Sequence, residues 1–140
     1  MQGRPVFVDV YAHFDKNRKI KFCHDWRLQE HGPNETSVRI VVPKGTPRSP
    51  IHFRLYDETG RQLRFFNDAE ESMWARVGQC PNAAGGGGQI DFSQAVSTGP
   101  NLTVHNLNSA KCNLHYALRF EDKDGRVVSY DPEIRNGGTT

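Results

Sequence analysis

The sequence predicts an all-β protein: a single-domain antiparallel β-sandwich of about nine strands. Three observations predict it. Apolar residues recur at every second position in one run after another, which sets one side of a strand against the other. Turn residues punctuate these runs roughly every 8 to 12 positions, as in sandwiches. No stretch offers the spacing of three and four that a helix needs, and no fixed repeat marks a propeller or solenoid.

The first run, Arg4 to Phe14, sets Val6, Val8, Val10 and Ala12 against Phe7, Asp9, Tyr11 and His13. Asp15-Lys16-Asn17-Arg18 turns the chain, and Lys19 to Leu28 returns with Ile20, Phe22, His24 and Trp26 on one side. His31 to Thr36 is a loop. Val38, Ile40 and Val42 mark a strand that Pro43 stops, since proline has no N–H for a ladder. PKGTPRSP is short enough for a crossover between sheets. Ile51, Phe53 and Leu55 then alternate with His52, Arg54 and Tyr56. Asp57-Glu58-Thr59-Gly60 is a plain turn into Leu63 and Phe65, with Arg64 and Phe66 outside.

Asn67 to Ser72 has room for one helical turn, and Met73 to Val77 for a short strand. Gly85 to Gly88 reads as a mobile loop, because consecutive glycines lose the most backbone entropy on ordering. Gln89 to Phe92 reads as a brief edge strand and Asn101 to Leu107 as another strand. Cys112 to Tyr130 is the clearest hairpin. Cys112, Leu114, Tyr116, Leu118 and Phe120 share one side, Asp124-Gly125 turns, and Asp131-Pro132 stops the return strand. The domain spans residues 1–134, and 135–140 is a polar tail. The segment LTVHNLNSAKCNLHYALRF resembles the strand–corner–strand region of immunoglobulin-like and fibronectin-like domains. The resemblance implies that Tyr116 bonds back to the preceding corner. It concerns architecture alone, since fold does not fix function.

At 140 residues the chain buries roughly 70% of its unfolded surface. A net charge of +2 points to no partner in particular, and sixteen acidic residues disfavour nucleic acid. No apolar run approaches the roughly 20 residues of a membrane span. The N-terminal residues lack a signal-peptide pattern, which places the protein in the cytoplasm. Cys23, Cys80 and Cys112 fit no disulfide framework or zinc motif and read as buried free thiols.

Several groups have the residue types of a site. GGGG lacks the Lys-Ser/Thr of a phosphate loop. Glu121 to Gly125 lacks the oxygen count of a calcium loop. The six histidines show no HxH spacing, and His24, between Phe22 and Trp26, reads as core; no metal or other cofactor is expected. Trp26 also reads as core, whereas Trp74 is free to be exposed. The candidate ligand face is the outer side of a middle hairpin, with His52 and Arg54 beside Arg64 and Phe66. His115 and Arg119 project from the last hairpin in the same sense. Paired arginine donors suit phosphate or carboxylate, and an aromatic can stack a base or sugar. No compact set of catalytic groups is evident, so the sequence reads as a non-enzyme. It is expected to act through protein–protein contact as an accessory, assembly or adaptor module, self-associating through an edge strand. The alternative is a module binding a small ligand or anion, carbohydrate or nucleotide, on that Arg/His/aromatic face.

Overall fold

The computed structural model describes residues 3–35 and 39–139. Thr36 and Val38, expected in a loop and a strand, lie outside the described residues. The chain is nearly all β, with the strand faces set by the alternation of apolar residues. β1 (Val6–Phe14) and β2 (Ile20–Leu28) form a hairpin. The Asp15 carboxylate closes its turn by accepting the Asn17 and Lys19 backbone N–H groups at 2.8 and 2.9 Å. β3 (Arg39–Val42) precedes the proline-rich crossover to β4 (Ser49–Asp57), which joins the other sheet as expected. A turn held by Asp57 leads to β5 (Arg64–Phe65), then one helical turn α1 (Ala69–Ser72) and β6 (Met73–Val77). β7 (Ile90–Thr98), β8 (Asn101–Asn106), β9 (Lys111–Glu121), β10 (Val127–Tyr130) and β11 (Glu133–Gly137) complete the order.

Two sheets result. The first runs β2-β1-β4-β8-β7. The second is built on β9, with β10 and β11 along one edge, β6 and β5 along the other, and β3 beyond β11. Both are mixed, which corrects the antiparallel expectation: β1 pairs with β4 in parallel, and β3 with β11. Alternation fixes which side of a strand faces the core but not which strand lies beside it. The described residues form eleven strands, against about nine expected.

The inner faces meet in one core. Leu114, Tyr116, Leu118 and Phe120 of β9 are all fully buried. Phe53 and Tyr116 bring the sheets together with ring centroids 5.8 Å apart, and Phe22 stacks on Phe120 at 5.5 Å. Each such side chain contributes roughly 1.5–3 kcal/mol on leaving water. Trp26 is core, as expected. His24 is buried too and bonds through Nδ1 to the Tyr130 hydroxyl of the opposite sheet. The sheets are also stitched by amides. Asn106 and Asn136 exchange bonds of 2.8 and 3.0 Å, and Asn136 donates to Gln89 at 3.2 Å.

Four further expectations are corrected. Residues 135–140 are not a tail throughout, since β11 reaches Gly137 and separates β9 from β3. β10 does stop at Tyr130, before Asp131-Pro132, as expected, and β11 follows it as a separate strand. β10 and β11 keep one register against β9, and the Pro132 carbonyl accepts the Tyr116 N–H at 3.0 Å. The glycine run is held against β6: Gly85 accepts the Ala75 N–H at 2.8 Å, and Gly86 bridges Ala75. Gly87 has φ +62°, and a Cβ there would meet Leu114 Cδ1 at 3.0 Å, so the loop covers an edge only because side chains are missing. The cysteines are not buried. Cys23 and Cys80 are exposed and Cys112 half-buried. Cys23 stands between inward Phe22 and His24, so its position outranks the usual preference of its residue type. Lastly, the Tyr116 hydroxyl is buried with no hydrogen-bond partner among the described residues, so no tyrosine corner forms.

Candidate functional site

The expected middle hairpin does not form, because the chain changes sheets after Asp57. β4 pairs with β1 and β8, whereas β5 pairs with β9. His52 and Arg54 therefore lie on the outer face of the five-stranded sheet. Arg64, Phe66, His115 and Arg119 belong to the other sheet or its margin.

On the second sheet the outward cations Arg39, Arg64, His115 and Arg119 are already engaged. The Arg119 guanidinium lies 3.9 Å from the Trp74 ring centroid and 5.3 Å from that of Phe66. Its Nη1 donates to the Glu71 carbonyl at 2.8 Å and the Glu71 carboxylate at 3.0 Å. Trp74, which the sequence left free to be exposed, is half-covered by Arg119. Arg64 pairs with Glu121 at 3.3 Å. Glu133 takes Arg39 on one oxygen at 2.9 Å and His115 on the other at 3.3 Å. Groups with satisfied partners hold this part of the sheet surface together and leave few of its donors for a ligand.

The first sheet is different. Its outer face is ruled in rows by the register. Arg27, Phe7, His52 and Thr103 form one row across four strands. Asp25, Asp9, Arg54 and Asn101 form the next, and Tyr11 and Tyr56 a third. Phe7 stacks on His52 at 5.0 Å and Tyr11 on Tyr56 at 5.2 Å. Arg27 lies over Phe7 and bonds Asp9 at 3.0 Å. Arg54 lies over Tyr56 at 5.4 Å and has no carboxylate partner among the described residues. Phe7, Asp9, Arg27, His52, Arg54, Tyr56, Asn101 and Thr103 surround a recess of about 400 Å³.

The electrostatics of this face follow from partial burial. Desolvation pushes the His52 imidazole below its ordinary value, so it stays neutral near pH 7 and shares a 2.9 Å bond with the Thr103 hydroxyl. Desolvation and the neighbouring Asp9 raise Asp25, with Arg27 opposing. Burial, then Asp25, raise Tyr11. A surface of stacked aromatics with one uncommitted guanidinium suits non-covalent recognition.

Of the sequence-predicted set, the structure brings together His52 and Arg54 on one face and Phe66 and Arg119 on the other sheet. Phe7, Tyr11 and Tyr56 were missed as site residues. Their signal was present, since the alternation that buries Val6 to Ala12 turns two large aromatics outward. Among the described residues no group of three or more His, Cys, Asp or Glu is placed to hold a metal ion, and no helix is long and apolar enough to cross a membrane. No protein-family model matches the chain, and no curated protein matches it.

Proposed function

We propose that the protein is a non-catalytic interaction module of β-sandwich, immunoglobulin-like or fibronectin-like architecture, working in the cytoplasm through protein–protein contact. The contact surface is the outer face of the five-stranded sheet. The observation that carries this reading is the row of stacked Tyr11 and Tyr56 with Arg54 lying unpaired across it. Tyrosine and arginine dominate the energetics of protein interfaces, since a rigid ring gives area at low entropy cost and a guanidinium gives directed donors. Arg54 calls for a carboxylate, so the partner presents an acidic residue beside an apolar one. Self-association would use a separate surface, the outer edge of β3, which has no strand beyond it among the described residues and carries the exposed Val41.

The recess beside His52 favours a second reading, a small carbohydrate or nucleotide seated over Phe7 and bonded by Asn101, Thr103 and Arg54. Size-exclusion chromatography with light scattering, combined with pull-downs, separates the two. An Arg54→Ala/Tyr56→Ala double variant is expected to lose the partner and keep its melting temperature. A monomer at high concentration whose captured proteins are unaffected by the variant refutes protein contact at this face. Saturable binding of a glycan or nucleotide, lost in the same variant, establishes the second reading.

A further inference from the structure

Three segments meet at one end of the six-stranded sheet: the turn after β3, the loop into β9, and the end of β11. Gly137 and Gly138 make the meeting possible. A Cβ on Gly137 would lie 2.3 Å from the Lys44 nitrogen, and one on Gly138 would lie 2.8 Å from the Lys111 nitrogen. Asn108 locks the junction. Its side-chain amide donates to the carbonyls of Pro43, Thr46 and Gly138 at 3.3, 3.1 and 3.2 Å, and its oxygen accepts the Gly138 N–H at 3.0 Å. The Gly45 N–H bonds the Gly138 carbonyl at 2.8 Å. The backbones that carry Lys44 and Lys111 are therefore fixed on either side of the glycine pair.

Two recesses open there. One, of about 370 Å³, is lined by Lys44, Ser109, Lys111 and the residues from Gly137 to Thr139. The other, of about 400 Å³, is lined by Lys111, Cys112, Asn113, Arg135 and Asn136. Lys111 belongs to both. No acidic residue lines either one. Lys44, Lys111 and Arg135 form no ion pair with any described carboxylate, in contrast to Arg39, Arg64 and Arg119 on the same sheet. The carboxylate two residues before Arg135, Glu133, is held by Arg39 and His115. The Ser109 hydroxyl accepts from Gln89 at 2.9 Å, which leaves its own proton to donate.

From this geometry we infer that the Lys44/Lys111/Arg135 end of the sheet is an anion site for a small molecule carrying two linked phosphate groups. One phosphate sits between Lys44 and Lys111, the other between Lys111 and Arg135. Lys111 lines both recesses, Lys44 one and Arg135, which also donates to Asn113 Oδ1 at 3.3 Å, the other, so a doubly anionic ligand spanning them gains charge-assisted hydrogen bonds from all three. The site lies on the other sheet from the contact face proposed above, and neither depends on the other.

The test titrates the whole chain with inorganic pyrophosphate and, separately, orthophosphate, by calorimetry and by amide chemical shifts. Pyrophosphate is expected to bind about tenfold tighter than orthophosphate, one charged hydrogen bond being worth about that factor. Lys111→Ala should abolish binding of both. Lys44→Ala and Arg135→Ala should each bring pyrophosphate down to the orthophosphate level. Arg64→Ala, at the far end of β9, should change nothing. The exposed Lys111 and Arg135 side chains leave the melting temperature unmoved, so lost binding cannot be mistaken for unfolding. The inference is overturned by unsaturable binding, by equal affinity for the two anions, by an equal loss in Arg64→Ala, or by shift changes confined to the outer face of the other sheet.

Discussion

Tyr116→Phe should make the protein more stable. The Tyr116 side chain is fully buried, its ring contacts Phe53, and its hydroxyl has no partner among the described residues. An unsatisfied hydroxyl taken from water costs roughly 1–3 kcal/mol. Phenylalanine keeps the ring and its contacts and gives up only the oxygen. The void left is smaller than a methylene, so its cost stays below about 1 kcal/mol. The net expectation is a gain of about 1 kcal/mol, or a rise of about 4 °C in Tm for a chain of this length. Urea unfolding followed by tryptophan fluorescence measures the free energy, and a thermal scan measures Tm. A loss of 1 kcal/mol or more would refute the reasoning. It would mean the hydroxyl is bonded in solution, as the resemblance to immunoglobulin-like corners implies. The two views predict opposite signs, so the experiment decides between them.

Asn108 sits at φ +50° and makes four hydrogen bonds, so Asn108→Ala should cost about 3–5 kcal/mol in a urea melt, whereas Asn108→Gly should recover about 1 kcal/mol of that by removing the backbone strain. Gly137→Ala should destabilise by more than about 2 kcal/mol, because the added methyl meets backbone on Lys44 that cannot swing away. Burial holds His52 and His105 below their ordinary value, so the unfolded chain takes up protons first. Stability should be complete above about pH 6.5 and fall as the pH drops further, as acid titration of the urea midpoint will show. Tyr130 is raised by burial to about 12, so the folded state keeps its proton longer than the unfolded one; stability should decline as pH climbs from about 10 to 12.

The faces of the strands were legible in the sequence, and their neighbours were not. Val6 to Ala12, Ile51 to Leu55 and Leu114 to Phe120 point inward as the period of two requires. The same period is silent about pairing. It could not reveal that the turn after Asp57 carries the chain to the opposite sheet, and this separated His52 and Arg54 from Arg64 and Phe66. PKGTPRSP was read correctly as a crossover because a run with few ladder donors cannot continue a sheet. β11 was missed because Glu133 to Gly137 holds a single apolar residue, Ile134; its other inward residue, Asn136, is an amide satisfied by Asn106 and Gln89. Cys23 is exposed against the habit of its residue type, because its place in the alternation sets it outward. The Lys44/Lys111/Arg135 grouping has no local signature at all, since three distant segments supply it.

The parallel seam between β3 and β11 also orders events during folding. β3 finds its neighbour β11 only after more than 90 further residues have been made, so during synthesis its backbone donors and acceptors wait in water while the strands around it settle. Contacts of such span are slow to close, and a chain cut after Tyr130 would leave that strand permanently without its mate. A nascent chain paused after Tyr130 would display one raw edge, the form in which chaperones or another nascent copy are most apt to seize it.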